Sequence, residues 1–142
     1  MNMLKLSKAA FEAIRKHGEQ AFPHECCGVL FGNVNGEIRI VDEVFKIENQ
    51  FEEAERYHRF LITPDNYREA EQSARAKKVD IIGFYHSHPD SPSVASKYDL
   101  DHAFPWFSYV IVSIVKNTYH DIHSWIMEND RSKFDEEDVV IE

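Results

Sequence analysis

The sequence predicts an α/β domain: a mixed β-sheet flanked by helices. Three observations carry this. Helical and strand-like segments alternate along the chain as helix, strands, helix, strand, helix, strands. Thr63-Pro64-Asp65 is a strong helix start, with a capping hydroxyl, a proline in the first turn and an early acid. The runs 28–32, 79–85 and 107–115 are short, apolar and rich in β-branched and aromatic residues, as buried strands are.

The elements follow in order. Ser7 caps a helix over residues 8 to about 17, with Ala10, Phe11 and Ile14 as its apolar stripe and Gly18 in the position after its end. Phe22-Pro23 breaks the chain. Gly28 to Gly32 reads as a buried strand, and the Asn35-Gly36 turn returns it into a second strand over 37–44. There the apolar alternation shifts from Ile38 and Ile40 to Val41 and Val44. Residues 49–59 read as a loop or a frayed turn that includes Tyr57 and His58, candidate lining for a groove. The helix from Thr63 runs to about residue 78, with Tyr67, Ala70 and Ala74 inward. The strand over 79–85 delivers His86 and His88 from its C-terminal end. Ser96-Lys97-Tyr98-Asp99 opens a short helix that stops before Pro105. The run 107–115 turns at Asn117-Thr118 and comes back over 119–127. The acidic stretch 135–138 leads to Val139-Val140-Ile141, a final edge strand.

Composition narrows the function classes. At 142 residues the chain, 1–142, is expected to form one domain with a real core. Apolar residues make up 43% and charged residues 29%, and the net charge is −9. That balance speaks against nucleic acid or an anionic membrane as partner, since both need clustered Lys and Arg. No signal peptide is expected, and no run approaches the ~20 apolar residues of a membrane span. Cys26 and Cys27 are the only cysteines. Adjacent cysteines are poorly placed for a disulfide, so a reducing cytoplasm is the expected setting, with the cysteines as small buried hydrophobes.

The chemistry concentrates in His86-Ser87-His88-Pro89, followed by Ser96 and Asp99. Residues two apart on a strand face the same side, so both imidazoles can reach one ion while Ser87 turns away. Asp99, on the first turn of the next helix, can bring a carboxylate to the same point. Two nitrogens and an oxygen leave one tetrahedral position open, the pattern of a catalytic rather than a structural zinc. Ser96 and Asp99 have an equally good reading as a helix cap. Spacing alone leaves Glu25 as readily a solvated acid at the start of a strand. His24 reads as a loop histidine beside it. His102, three residues after Asp99, reads as a neighbour of the site or as surface. His120 and His123 read as non-ligands, and Phe104, Trp106 and Phe107 as core or groove wall.

The stretch from His86 to Asp99 resembles the JAMM motif of the JAB/MPN metalloproteases, H-[S/T]-H-x(7)-S-x(2)-D, without departure in spacing. The segment 23–32, with Glu25, is similar to the one carrying that family's catalytic glutamate. Tyr109-Val110-Ile111-Val112-Ser113 is similar to the strand after the motif. The likeness spans about residues 25–125 and is greatest to the compact prokaryotic stand-alone members; the long insertions of eukaryotic ubiquitin-specific members have no counterpart. The resemblance implies a JAB/MPN, cytidine-deaminase-like sandwich. It implies one zinc ion (Zn2+) per chain on His86, His88 and Asp99, Glu25 as general acid and base for the attacking water, and Ser96 as a donor to the oxyanion. It also implies cleavage after the C-terminal Gly-Gly of a ubiquitin-like protein, a sulfur carrier or modifier, whose tail would lie along a sheet edge as an added strand. A non-catalytic MPN-like binding module is the competing reading, and the complete residue set weighs against it. A zinc nucleobase deaminase needs H-x-E and a later P-C-x-x-C; here His24 and Glu25 are adjacent and no C-x-x-C occurs, which counts against it.

Overall fold

A computed structural model describes residues 2–49 and 62–142; Tyr57 and His58, the candidate groove lining, lie outside the described residues. The elements are β1 (Met3–Leu6), α1 (Lys8–Ala21), β2 (Cys27–Asn35), β3 (Ile38–Ile47), α2 (Pro64–Lys77), β4 (Asp80–Pro89), α3 (Lys97–His102), β5 (Ser108–Val115), β6 (Thr118–Met127) and β7 (Phe134–Ile141). The strands form one mixed sheet in the order β1-β3-β2-β4-β5-β6-β7, closed by pairing of β1 with β7. The contacts β1/β3, β1/β7 and β4/β5 are parallel and the others antiparallel.

Closure changes the reading of both chain ends. Leu4 and Leu6 of β1, a strand the sequence did not announce, are fully buried. Four residues are too few to show a period of two against the helical stripe that follows. Because β1 takes up the far side of β7, the expected edge strand is not an edge, and the strand begins at Phe134 rather than near Val139. The acidic run is likewise not wholly solvated: Glu137 is buried and accepts a 2.6 Å hydrogen bond from Ser124 Oγ on β6.

Helix α1 starts as expected, with Ser7 Oγ accepting from the Ala10 N–H at 3.0 Å. It does not stop at Gly18. A Cβ there would stand 2.9 Å from Ile114 Cδ1, so Gly18 is where the helix closes on β5, and α1 continues to Ala21. The β2–β3 hairpin turns through Gly36 at φ +66°. A bulge sits where Phe31 pairs with Glu43 but Gly32 pairs with Val41, leaving Asp42 as the extra residue. That extra residue is the physical reason why Val41 and Val44, three apart, face the same core.

Apolar residues collect on two sides of the sheet. On one, Ala10 and Ile14 of α1 meet Leu4, Leu30, Val41, Tyr85 and Val112. On the other, Ala70 and Ala74 of α2 meet Cys27, Val29 and Phe31, with Phe84 packed against them. Thr63 and Asn66 form a reciprocal capping box at the start of α2, as the Thr-Pro-Asp signature predicts.

Candidate metal centre

Strand β4 separates two sets of side chains. Tyr85 belongs to the α1-side core, while Phe84 packs toward α2. His86 and His88 continue the Phe84 series, and His86 shares a cleft with Phe84 and Tyr67. The sequence places the histidines just past the strand; in the structure they lie within its last residues, locked by parallel pairing to Ile111 and Ser113 of β5.

The third group arrives through helix capping. Ser96 Oγ accepts from the Asp99 N–H at 3.1 Å, and Asp99 Oδ2 accepts from the Ser96 N–H at 2.9 Å. This box aims the carboxylate at the histidines. His86 Nε2 and His88 Nε2 are 3.1 Å apart, with Asp99 Oδ1 at 3.1 Å from the first and Oδ2 at 3.1 Å from the second. His86 and His88 are 1% and 7% exposed and Asp99 9%. The capping reading of Ser96-x-x-Asp99 thus holds, and the cap also orients the carboxylate toward the two histidines.

The donor set fits a divalent cation. His88 Nδ1 lies 2.7 Å from the Pro92 carbonyl, which can only accept, so Nδ1 carries the proton and a neutral His88 offers a lone pair at Nε2. Burial holds the pKa of His86 below its ordinary value, against the pull of Asp99. With each Nε2 free of a proton, two lone pairs and a carboxylate converge on one point, which a cation would satisfy. Ligand atoms at the corners of a tetrahedral zinc with ~2.0–2.1 Å bonds stand about 3.3 Å apart, close to the observed triangle. Burial opposes ionisation of Asp99, but the two histidines outweigh it and hold the carboxyl well below the usual range. In His88 burial works against the proton, yet the Asp99 hydrogen bond and charge raise the pKa overall.

Glu25 reaches this centre through strand register. Cys27 of β2 pairs with His86 of β4, and the antiparallel ladder runs on past the strand start. The Ser87 N–H donates to Cys26 O at 3.1 Å, and Ser87 Oγ accepts from the Cys26 N–H at 2.8 Å. One step further, Glu25 stands across from His88. Its backbone carbonyl accepts from Asn49 Nδ2 at 3.0 Å. Glu25 is 7% exposed, and burial pushes its pKa up to about 8, with His88 lowering it and Asp99 raising it by smaller amounts. A carboxyl in that range can both take and give a proton near neutrality. Ser87, the residue that alternation turns away from the histidines, fastens Cys26, the neighbour of Glu25, to β4.

Beside the histidines lies a cleft of about 460 Å³ between α2, β4 and α3, walled by Tyr67, Phe84, Tyr98, Phe104, Phe107 and Tyr109. Phe104 and Phe107 are thus groove wall, while Trp106 lies outside it under the Arg39 guanidinium at 4.4 Å. His102 is exposed at the cleft rim, stacked on Tyr98 at 4.1 Å with Nδ1 bonded to the Tyr98 carbonyl. His24 lines a second, smaller hollow with Glu25 and His17. His120 is exposed, and His123 lies 3.9 Å from Glu136. Among the described residues, His86, His88 and Asp99 are the group that could hold a metal. Cys26 and Cys27 are buried and free, one in each core, with burial pushing both thiols up.

A closed α/β sheet carrying a buried His-His-Asp centre beside a raised carboxyl defines the class of protein. Residues 7–128 match the family of prokaryotic homologs of the JAB domain, and the chain belongs to that family. It is 29% identical over 126 residues to a desampylase of Haloferax volcanii, covering 86% of this chain and 87% of the relative. It is 24% identical over 118 residues to a desampylase of Pyrococcus furiosus, covering 83% and 76%. Among solved structures, a protein from Desulfitobacterium hafniense superimposes with a TM-score of 0.86 at 30% identity, covering 99% of this chain and 93% of that one. A JAB1/MPN domain protein from Archaeoglobus fulgidus, at 17% identity and a TM-score of 0.57 over 99% and 100%, shares the fold. The architecture is the JAB/MPN fold, and the family with its desampylase relatives supports a hydrolase of the JAB family.

Proposed function

We propose that this protein is a zinc-dependent protease or isopeptidase that hydrolyses the bond after the C-terminal Gly-Gly of a ubiquitin-like sulfur-carrier or modifier protein. The observation that carries the reading is the triangle of two imidazole Nε2 atoms and one carboxylate, 3.1 Å on each side, with the buried Glu25 coupled to it. His86, His88 and Asp99 would hold the ion. When bound, zinc supplies Lewis-acid polarisation of the scissile carbonyl and a water acidic enough to attack near neutral pH.

The chain's own residues do the rest. Glu25 accepts the proton of the attacking water and returns it to the leaving amine; a buried carboxyl with a pKa of about 8 suits both halves of that task. Ser96 has one lone pair engaged by the Asp99 N–H, which leaves its hydroxyl proton to donate to the oxyanion. The aromatic cleft receives the partner's extended tail and excludes water from it. Sheet closure bears on how that tail docks. Every strand has neighbours on both sides, so an added strand finds no long free edge among the described residues. The two free, buried cysteines accord with a cytoplasmic setting. No helix of the described residues is long and apolar enough to cross a membrane.

The test is to measure zinc per chain and to incubate zinc-loaded protein with Gly-Gly-tailed carriers, fused or conjugated, reading products by mass. Cleavage after the second glycine is expected. Glu25→Gln should keep the metal and lose hydrolysis by about 10²- to 10⁴-fold. Full activity in Glu25→Gln would sink the mechanism, and binding of such carriers without cleavage would return the non-catalytic module.

A further inference from the structure

The seven residues between His88 and Ser96 lie within the family motif as unspecified spacing. Here the first five of them, residues 89–93, are fastened in turn. His88, Ser113 and Asp121 pair in one row across β4, β5 and β6. The loop after His88 folds back over that row. The Asp90 N–H donates to Ile114 O at 2.7 Å, and Ser113 Oγ donates to Ser91 O at 2.6 Å. Ser93, 1% exposed, donates through Oγ to Asp121 Oδ1 at 2.6 Å, and its carbonyl accepts from Trp125 Nε1 at 3.1 Å. Between these two fixed points is Pro92, whose carbonyl takes the Nδ1 proton of His88.

We propose that Asp121, acting through Ser93, is a positioning residue for the metal centre: it clamps the Pro92 carbonyl that keeps His88 in the Nδ1–H tautomer with Nε2 free to ligate. The inference rests on the reading of His88 as a ligand. Its physical basis is that a ligating histidine needs its second ring nitrogen bonded, and that partner must itself be held. Proline has no N–H of its own to fix the segment. The nearest side-chain restraint on the Pro92 carbonyl is therefore the double grip on Ser93. The restraint comes from β6, outside the stretch that holds the ligands.

The experiment compares Asp121→Ala, Asp121→Asn and Ser93→Ala with wild type by two readouts. One is zinc affinity from competition with a chromophoric chelator. The other is the His88 tautomer in zinc-free protein, from long-range 1H–15N spectra. Asp121→Ala and Ser93→Ala should each weaken zinc binding by about tenfold, the lower end of the range for outer partners of a ligand. Asp121→Asn, whose amide oxygen still accepts from Ser93, should stay near wild type. In the double variant Asp121→Ala/Ser93→Ala the loss should not exceed either single one. His88 should gain Nε2–H tautomer in Asp121→Ala but not in Asp121→Asn. An unchanged tautomer and affinity ratio in Asp121→Ala, or Asp121→Asn as impaired as Asp121→Ala, would overturn the clamp. A wild-type protein that takes up no zinc would instead defeat the metal reading, while the zinc-free tautomer still decides the clamp. Should Asp121→Ala fail to fold, Ser93→Ala decides by the same two readouts.

Discussion

The two sides of strand β4 are equally dark and do opposite things. Tyr85 and Ser87, facing α1, are fully buried; His86 and His88, facing α2, are 1% and 7% exposed. Burial does not distinguish them. Hydrogen bonding does. The Tyr85 hydroxyl is 2.7 Å from His17 Nδ1, and Ser87 Oγ is matched to the Cys26 N–H. Each polar atom on that side meets a complementary partner. On the other side two imidazole Nε2 atoms and a carboxylate crowd one point, an arrangement that a cation would satisfy. A buried polar cluster that is complementary within itself is structure, and one whose groups converge on a common point is a candidate site.

The sharpest way to break the comparison is on the acceptor side. His88→Ala removes one of the three converging atoms, so metal content should drop from about one per chain to background by elemental analysis. Metal held at full stoichiometry in this variant would erase the distinction drawn above.

The next largest effect belongs to the α1 side. A methyl group at Gly28 would come within 2.3 Å of the Tyr85 ring, whose hydroxyl is tied to His17. Gly28→Ala should lower unfolding free energy by about 1–3 kcal/mol in urea denaturation, with zinc affinity unchanged.

Ser87→Ala tests where the two sides touch. It strips the partner from a buried N–H, a loss of about 1–3 kcal/mol, toward the lower end because the second Ser87–Cys26 bond survives. It also loosens Glu25, so turnover should fall while zinc stays bound. Zinc lost in step with activity would show that Ser87 supports the ligands rather than Glu25.

The smallest effect is a pH dependence. Burial, assisted by the charge of Lys46, pushes the pKa of His17 down to about 4 from an ordinary 6.5. The unfolded chain therefore binds the proton more readily. The contribution of His17 to stability is complete above about pH 6.5 and is lost as pH falls toward 4. Its partial exposure keeps the effect modest. Urea midpoints measured from pH 7 to 4 should decline in wild type more steeply than in His17→Gln; parallel curves would contradict the assignment.

The candidate metal cluster was legible because its geometry is local. A strand alternates every two residues, and a Ser-x-x-Asp cap folds back on itself, so His86, His88 and Asp99 could be grouped from fourteen consecutive positions. The start of α2, the hairpin at Gly36 and the inward Ala70 and Ala74 were legible for the same reason. Gly18 misled because a glycine at a helix end and a glycine at a close approach look alike in one dimension; only Ile114, ninety-six positions on, tells them apart. The bulge at Asp42 left a trace in the shifted alternation of β3, yet the alternation alone did not say which face came next. Glu137 stood in an acidic run, and nothing nearby marked it as the one that Ser124 would receive.

What the sequence by itself determined, then, was a set of short-range facts: which segments apart from β1 are helix or strand, and which three side chains can converge on one point. Tertiary structure decided the rest. The β2–β4 register set Glu25 against His88 across more than sixty positions, closure by β1 removed the expected sheet edge, and β6 supplied the restraint on the loop between the ligands. Backbone sterics and capping are settled within a few residues, whereas register and closure follow from summed burial over contacts distant in sequence. No window along the chain contains that sum.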